Sequence, residues 1–446
     1  MKKGTVLALA VIAAAAILSL TAFLKPIGIL SGEEAYYHVM ASHSTNGSFV
    51  LSQYDYFLKF AFLFFNPVLF MKIFPIIIGT LSVLLFYFIA KKFLNDKSAV
   101  YASIILILSP SFLYIFSINS AEIIPLFLIL LGVFLLIQKN KLFSYLSGVP
   151  FVLCSLSSMF VGVLVFIIYM THFLAKREKR YDFIAVSALI VFFMAIFNPK
   201  FIIEYFASNL PAVSNLFSDL GGLAGISIFA AIFFVAGLIA AKKREYSYPI
   251  IIYLVISFFT DYKTIIYSNL LISGFAGLGL MAMIEKKWEL GNLKQAMNFL
   301  LIGGLLFSGV SHINVIKSLG PSSEIIESAQ WLGKNSDNSS VLTTPENSIM
   351  VEYFGGKVMF DAIPSETIKF SIISSDANDI YYSRDLEETE KLLNKYNADY
   401  ILIDSKMTGG EIWKSPDEGL LFLLSNENKF ASVYDQGGIR IIYNIK

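Results

Sequence analysis

A short polar cluster near the N-terminus contains groups that could do chemistry. The segment Gly32-Glu33-Glu34-Ala35-Tyr36-Tyr37-His38 directly follows the first long apolar run. Its two carboxylates, two phenols and one imidazole could bind a cation, hold a polar substrate or move a proton. Because charge is costly to place at the edge of a membrane, an acidic cluster at such a point indicates the binding of an ion or a substrate.

The composition is typical of a chain that crosses a membrane several times. Apolar residues make up 56% of the 446 residues, and only 15% are charged, whereas soluble globular chains have about 25% charged residues. The first apolar run, 5–24, follows Lys2 and Lys3 and lacks a small-residue cleavage site, so it predicts a retained signal anchor. Further runs raise the expected number of transmembrane helices to about eleven. They cover 68–90, 98–116, 120–137, 142–156, 158–174, 182–197, 225–241, 247–260, 265–284 and 296–312.

The basic residues predict which side of the membrane each loop faces. They fall in alternate loops, which places those loops in the cytoplasm because positive charge is retained there. The clusters are Lys2-Lys3, Lys91-Lys92, Lys139 with Lys141, 176–180, Lys242-Lys243-Arg244 and Lys286-Lys287. The outer segments are then 25–67, 117–120, 198–224, 261–264 and the chain after His312. We therefore expect an integral, multi-pass protein of the cell membrane, with a cytoplasmic N-terminus and an external C-terminal domain.

The chain changes character near residue 315. Residues 1–315 form the predicted transmembrane domain, whereas residues 316–446 are polar, acidic and numerous enough to bury one core. Their apolar patterns predict both helices and strands. The predicted helices are 322–335 and 386–396, the strands are 341–342, 358–360 and 399–404, and a closing hairpin at 431–443 turns at Gly437-Gly438. The predicted fold class is thus an α-helical polytopic membrane protein with an external mixed α/β domain.

The sequence argues against a disulfide scaffold and against nucleic-acid binding. The lone cysteine, Cys154, lies inside a predicted span, so no internal disulfide can form. The net charge of +1 combines basic cytoplasmic loops with an acidic tail. Membrane topology accounts for the basic clusters, and no module combines basic with aromatic residues, so no nucleic-acid partner is expected.

Few carboxylates of the membrane domain lie on its outer side. They are Glu33, Glu34, Asp55, Glu122, Glu204, Asp219 and Asp261. Glu122 opens a span and Glu204 lies in a long outer loop, so together with Glu34 they could bring separate loops to one hard cation. Oxygen ligands suit Mg²⁺ or Mn²⁺. The alternative is a set of independent interfacial charges, with Glu122 interacting with its helix dipole and Glu204 solvated.

The order of these features resembles the GT-C class of membrane glycosyltransferases, and most of all the archaeal-type single-subunit catalytic subunit of oligosaccharyltransferase. In that family an acidic residue, a proline and an aromatic pair follow the first span, and Glu34-Ala35-Tyr36-Tyr37-His38 is similar, with Glu for Asp and Ala for Pro. Ser120-Ala121-Glu122 keeps the last member of the second acidic motif. Glu204, followed by Pro211 and 216–221, is similar to the third acidic loop.

Later segments extend the resemblance over most of the chain. Asp261-Tyr262-Lys263, before a glycine-rich span, is similar to the family's outer basic residue, and 352–357 with 395–400 is similar to the archaeal external domain. One element departs from the family. The Trp-Trp-Asp-Tyr-Gly element, which recognises the hydroxyl of the acceptor sequon, is replaced by 343–348. The acceptor is therefore left open between the Asn of a sequon and another group.

The resemblance implies a metal-dependent transferase with an outward-facing site. It implies a Mn²⁺ or Mg²⁺ ion bound by Glu34, Glu122 and Glu204, with Glu34 also the candidate base that takes a proton from the acceptor. Lys263 and the ion would stabilise the negative charge on a departing polyprenyl phosphate or diphosphate.

Three residues beside Glu34 are expected to line the cleft for the donor or the acceptor. These are Tyr36, Tyr37 and His38, and aromatic faces suit sugar rings. For the two tyrosines the alternative is an ordinary interfacial aromatic belt. For His38 it is a structural hydrogen bond, and for Lys263 an interfacial lysine that extends its ammonium group to water.

The sequence thus predicts transfer of a sugar or oligosaccharide from a polyprenyl-linked donor to a protein or lipid acceptor, at the external face and in contact with membrane lipids. A second possibility is a polyprenyl-phosphate-monosaccharide transferase that acts on Ser/Thr or on a lipid. A non-catalytic relative and a cation-binding transporter are the alternatives from other classes. A transporter would show interrupted spans in matching halves, and no such repeat is evident in the sequence.

Overall fold

In a computed structural model of the chain, the apolar runs fold as helices and the polar tail folds around a sheet. The structure describes residues 3–26, 29–43, 53–155, 162, 164–165, 216–241, 262–287, 289, 291–336, 339–359 and 367–445. The chain divides into two compact units. The first contains Met1–Ser31, Ser52–Tyr54 and Phe62–Ser318, and the second contains Gly32–Leu51, Asp55–Ala61 and Leu319–Lys446.

The elements are numbered in chain order along the described residues. The helices are α1 (Lys3–Ala22), α2 (Glu33–His43), α3 (Gln53–Ala61), α4 (Pro67–Phe93), α5 (Asp96–Ile107), α6 (Pro110–Ile118), α7 (Ile123–Leu136), α8 (Lys141–Leu146), α9 (Gly148–Ser155), α10 (Ile228–Ala241), α11 (Tyr262–Glu285), α12 (Gly291–Ser318), α13 (Ser323–Asn335), α14 (Pro345–Tyr353), α15 (Thr367–Tyr382), α16 (Leu386–Lys395) and α17 (Gly419–Leu423). The strands are β1 (Ser340–Leu342), β2 (Lys357–Val358), β3 (Ala398–Ile403), β4 (Phe430–Gln436) and β5 (Ile439–Asn444).

The helical membrane character predicted from the sequence is confirmed. Within the described part of the chain, three helical segments are long and apolar enough to cross a membrane, and α5 with α6 adds a fourth if that bent pair is one span. The three are α4 (Pro67–Phe93), the Ile265–Glu285 part of α11, and Gly291–Asn335, which contains α12 and α13. The number of about eleven spans stays a prediction. The predicted spans 182–197 and 247–260 lie outside the described residues, and of the predicted span 158–174 only residues 162, 164 and 165 are described.

The predicted span 98–116 is interrupted. α5 and α6 meet at an angle of 53°, because Ser109 is in an extended conformation and Pro110 starts the second helix. Proline lacks the N–H that would continue the first helix and disfavours a helical conformation in the residue before it. α6 then ends at Asn119, which has a left-handed φ of 61°. This break places Ser120 and Glu122 in the short connection before α7.

Glycines allow the central helix of the first unit to pack closely against its neighbours. A Cβ atom at Gly279 on α11 would overlap the backbone of Phe233 on α10, and one at Gly237 would overlap the backbone of Phe275. Gly277 lies in the same way against Ala102 on α5. Small residues permit such close contact between membrane helices. The glycine-rich run of the sequence is thus a packing surface that holds α11 in the core.

The second unit is built around a five-stranded mixed sheet with the order β2-β1-β3-β5-β4. β1 is parallel to β2 and β3, whereas β5 is antiparallel to β3 and β4. The β4–β5 turn at Gly437 and Gly438 has φ angles of 61° and 79°, which suit a tight hairpin turn. The buried core of the second unit includes Trp413, Ile380 and Leu393. The predicted mixed α/β domain is confirmed, and its predicted strands and hairpin match the observed elements to within two residues.

Candidate functional site

The acidic cluster of the sequence forms the start of α2. Gly32 has a left-handed φ of 83°, which glycine adopts without steric cost, and the helix begins at the next residue. Glu33 and Glu34 therefore occupy its first turn, where the helix dipole stabilises negative charge. Tyr36, Tyr37 and His38 are buried. The first turn of α2 thus presents carboxylates above a buried aromatic layer.

An imidazole links two carboxylates in the second unit. His38 Nδ1 lies 2.6 Å from Oδ1 of Asp55 on α3, and His38 Nε2 lies 3.6 Å from Oε1 of Glu34, one helical turn earlier. Asp55 is fully buried and His38 is 4% exposed, whereas the side chain of Glu34 is 38% exposed. The arrangement runs from a buried carboxylate, through a buried imidazole, to a carboxylate that meets solvent.

The two carboxylates favour the protonated imidazole. Burial alone lowers the pKa of His38, but the hydrogen bond to Asp55 and the negative charges of Asp55 and Glu34 outweigh burial, so the pKa lies above its ordinary value. A charged imidazole can donate from both ring nitrogens, one toward each carboxylate. The structure therefore agrees with the hydrogen-bonding alternative for His38, and it extends that alternative because the same ring also faces Glu34.

The two tyrosines of the cluster pack inside the second unit. Tyr36 is 2% exposed, and its ring lies edge-on to Tyr353 of α14 with centroids 4.9 Å apart. Tyr37 lies beside the ring of His38 at 5.5 Å, and burial, with the nearby Asp55 charge, raises its pKa. Substrate contact by Tyr36 and Tyr37 stays a prediction. The contact between Tyr36 and Tyr353 packs α2 against α14.

Glu122 lies at the start of α7 in the first unit. The residue is 8% exposed and makes no capping bond to its own helix. Instead its Oε2 accepts a hydrogen bond from the hydroxyl of Tyr267 on α11. Burying a carboxylate without a donor is costly, so this phenol helps to hold Glu122 at the end of the bundle.

Asp219 has a structural role. Its Oδ2 accepts a hydrogen bond of 2.6 Å from the backbone N–H of Ile228, and its Oδ1 accepts one of 2.6 Å from Ser308 Oγ. It therefore joins the first turn of α10 to α12. Glu204 and Asp261 lie outside the described residues, and Lys263 lies in the first turn of α11 with its side chain outside the described part.

The structure does not test the proposed three-carboxylate metal site. Glu34 belongs to the second unit and Glu122 to the first, and Glu204 is outside the described residues. Among the residues that the structure describes, no group of three or more His, Cys, Asp or Glu side chains is placed to hold a metal ion. Metal binding by Glu34, Glu122 and Glu204 stays a prediction.

The segment 343–348 forms an ordinary helix start in place of the tryptophan-rich element. Thr344 caps α14 by accepting a bond from the N–H of Asn347. Asn347 Nδ2 then donates to Asp404 Oδ2 at 2.9 Å, at the end of β3. On the surface beside this cap, Lys406 Nζ lies 3.3 Å from Glu346 Oε2. These contacts join α14 to β3 without an aromatic wall.

Sequence reasoning missed the partners that hold two site residues. Asp55 appeared only as one of several outer carboxylates, and Tyr267 was not singled out. The signal for Asp55 was its position on the apolar face of α3 with Tyr54, Leu58 and Ala61, all of which are buried. A carboxylate on such a face needs a partner.

The fold is similar to that of solved oligosaccharyltransferases and of ArnT. No protein-family profile matches the chain. It is 26% identical over 269 residues to dolichyl-phosphooligosaccharide-protein glycotransferase 2 of Archaeoglobus fulgidus, a match that covers 58% of this chain and 41% of that protein. The chain thus spans well under two thirds of this curated relative.

Solved structures show the same fold. An oligosaccharyltransferase of Archaeoglobus fulgidus, tethered to an acceptor peptide, superposes with a TM-score of 0.62 at 11% identity, covering 100% of this chain and 74% of that one. ArnT from Cupriavidus metallidurans, bound to undecaprenyl phosphate, superposes with a TM-score of 0.59 at 10% identity, covering 100% and 99%. The resemblance to archaeal oligosaccharyltransferases and to the GT-C class is confirmed, and the chain is an integral membrane protein.

Proposed function

We propose that the chain is a membrane glycosyltransferase that moves a sugar or oligosaccharide from a polyprenyl phosphate or diphosphate to an acceptor at the external face. The observation that carries the proposal is the structural likeness to an oligosaccharyltransferase over the whole of this chain and 74% of the other. The sequence match to dolichyl-phosphooligosaccharide-protein glycotransferase 2 supports it. The related proteins have been solved with dolichol phosphate, with undecaprenyl phosphate and with an acceptor peptide. The polyprenyl-linked donor and the acceptor of the proposal are both inferred from these ligands.

The proposed topology has about eleven spans. The membrane domain covers 1–315, the N-terminus is cytoplasmic, and the domain 316–446 is external. This orientation rests on the alternating basic loops. It places the first turn of α2 on the side where the donor's sugar would be used.

The donor set suits a hard divalent cation. Glu34 presents a partly exposed carboxylate, and Glu122 presents a carboxylate held by Tyr267, so the available ligands are oxygens. We assign Glu34, Glu122 and Glu204 as the residues that would hold Mn²⁺ or Mg²⁺. An Archaeoglobus oligosaccharyltransferase has been solved with Zn and sulfate. A bound cation would offset negative charge on the departing phosphate.

The protein's own groups then have separate tasks. Glu34 takes the proton from the acceptor nitrogen or hydroxyl as it approaches the anomeric carbon. Lys263, in the first turn of α11, would stabilise the negative charge on the donor phosphate. Tyr36, Tyr37 and His38 shape the wall of the cleft behind Glu34.

A second candidate acceptor follows from the segment 343–348. Asn of a sequon is the acceptor implied by the oligosaccharyltransferases, but the described start of α14 is a capped helix. Thr344 Oγ1 accepts from the backbone N–H of Asn347, and the Asn347 side chain donates to Asp404. A Ser/Thr hydroxyl or a lipid is therefore the second candidate.

A transfer assay tests the proposal. The full-length protein in lipid nanodiscs is given radiolabelled dolichyl-phosphate mannose or dolichyl-diphosphate N-acetylglucosamine, with an Asn-Val-Thr peptide, a Ser/Thr-rich peptide or a lipid extract as acceptor. We expect transfer to one acceptor class, its loss with EDTA and its recovery with Mn²⁺ or Mg²⁺. Glu34→Gln should lower the rate by about 100-fold or more, because a positioned base contributes about 10²- to 10⁴-fold.

The neighbouring variant Glu33→Gln is the matched control, since it removes the same charge from the same helical turn. Its rate should stay within a few-fold of the wild type. Equal rates for Glu34→Gln and the wild type would exclude Glu34 as the base. Absence of transfer from both donors to all three acceptors would count against the enzyme and favour a non-catalytic relative.

A further inference from the structure

Asp55 is a buried carboxylate that the proposed chemistry does not use. Its side chain is fully buried on α3, and its Oδ1 lies 2.6 Å from Nδ1 of His38. Burying an ionised carboxylate is unfavourable unless a charged or polar partner compensates it. Three buried apolar neighbours on the same face of α3, Tyr54, Leu58 and Ala61, show that this position would otherwise suit an apolar residue.

The contact with Asp55 fixes the orientation of the His38 ring. Because a carboxylate only accepts, the nitrogen facing Asp55 must donate, so Nδ1 has its proton. The other nitrogen, Nε2, then faces Glu34 Oε1 at 3.6 Å. The His38 ring therefore lies between the two carboxylates and is in contact with both. Asp55 sets the orientation of the His38 ring, and the ring in turn influences the orientation of the Glu34 side chain.

This geometry also joins two helices. His38 and Asp55 are 17 residues apart in the sequence, and Glu34 and His38 are one turn apart on α2, a spacing at which helical side chains meet. All three residues belong to the second unit. A movement of α3 relative to α2 would therefore alter the direction in which the Glu34 carboxylate points.

We infer that Asp55 and His38 are positioning residues that hold the Glu34 carboxylate in its reactive orientation. The inference rests on the proposed function, because it assigns both residues to the site in which Glu34 acts. The rival explanation is that Asp55 and His38 form a buried pair that only stabilises the packing of α2 on α3. The two explanations differ in what happens to turnover in a protein that is still folded.

Steady-state kinetics separate the two explanations. In the nanodisc assay, Asp55→Asn and His38→Gln should each lower kcat by about 10- to 100-fold, the effect usual for groups that orient a ligating residue, with little change in KM for the donor. The double variant should be no slower than the slower single variant, because the two residues act as one unit. His43→Gln, on the same helix and exposed, is the matched control and should retain the wild-type rate.

Histidine nuclear magnetic resonance gives a readout that does not depend on turnover. The chain has four histidines, so ¹⁵N-histidine labelling gives few signals, and His38→Gln assigns those of His38. Asp55→Asn should shift the Nδ1 signal, and Glu34→Gln should shift the Nε2 signal. If Glu34→Gln leaves both His38 nitrogens unchanged, the link is overturned whether or not the wild type transfers sugar.

The remaining outcomes also decide the matter. Folded Asp55→Asn and His38→Gln proteins with wild-type kcat would overturn the positioning role. If Asp55→Asn fails to fold, His38→Gln and the Glu34→Gln spectrum decide instead. If the variants shift the His38 signals as expected but the wild type transfers nothing, the proposed function is refuted and the contacts of His38 with Asp55 and Glu34 stand.

Discussion

The carboxylate of Glu122 is held at the start of α7 by contact with another helix. The residue is 8% exposed, and the Tyr267 hydroxyl donates to its Oε2 across 145 positions of sequence. A hydrogen bond to a buried charged group contributes about 1.5–3 kcal/mol to the free energy of unfolding. The phenol therefore does two things at once, since it satisfies a buried charge and sets the direction of a candidate ligand.

Replacing Tyr267 with Phe tests whether the position of Glu122 depends on the Tyr267 hydroxyl. Tyr267→Phe keeps the ring and removes the hydroxyl, so we expect the free energy of unfolding to fall by about 1–3 kcal/mol and sugar transfer to fall as Glu122 loses its fixed position. Thermal unfolding in detergent and the nanodisc assay measure the two effects. Tyr101→Phe, on the neighbouring helix α5, is the control. An unchanged unfolding temperature in Tyr267→Phe would show that the bond contributes nothing.

The chemistry at single residues could be predicted only in part. The acidic turn with Glu34 was visible in the sequence because its residue types are unusual after a membrane span. The partners Asp55 and Tyr267 were not, because each is brought to its carboxylate by packing between helices that are distant in sequence. Local pattern indicates that a buried carboxylate needs a partner, but it does not say which helix provides one.

At the scale of elements, close contact between helices depends on the absence of side chains at particular glycines. On α11, a Cβ at Gly279 would overlap the backbone of Phe233 and Gly237, whereas a Cβ at Gly274 would meet none of the described residues within 4 Å. The two positions lie on the same helix and differ in what they face. They therefore form a matched pair for an experiment on packing.

Gly279→Ala should destabilise the protein, whereas Gly274→Ala should not. The added methyl group at Gly279 forces α10 and α11 apart, and overpacking of this kind costs about 1–3 kcal/mol. At Gly274 the same change fills open space and favours the helix, because alanine has the higher helix propensity. Thermal unfolding monitored by size-exclusion chromatography distinguishes the two variants. Equal midpoints would mean that the backbones of α10 and α11 are not in close contact.

Several elements were predictable because their signals are local. The strands around 341 and 399–404 and the Gly437-Gly438 hairpin follow from short apolar runs and turn residues. The break in the predicted span 98–116 had a local signal as well, since Ser109-Pro110 is a helix-start pattern, but the run was continuous in hydropathy. Hydropathy alone does not show the bend, because a bent pair of helices buries the same residues as a straight one.

At the scale of the whole molecule, the second unit includes segments from near the N-terminus. Gly32–Leu51 and Asp55–Ala61 belong to the same compact unit as the sheet, and the contact of Tyr36 with Tyr353 is one reason. The residues that begin the candidate site therefore fold with the tail, although more than 250 positions separate them from it. A domain boundary placed at one position in the sequence does not show that segments this far apart belong to the same compact unit.

The orientation of the molecule can be tested with cysteine labelling. The native Cys154 is buried, so Cys154→Ala gives a cysteine-free background with little disturbance. Asp435 in β4 and Lys139 between α7 and α8 are both exposed, and the positive-inside rule places them on opposite sides of the membrane. In intact cells, a membrane-impermeant maleimide should label Asp435→Cys and should label Lys139→Cys only after permeabilisation. Labelling of Lys139→Cys in intact cells would contradict the inferred orientation. Glu34 would then face the cytoplasm and could not act on an external acceptor.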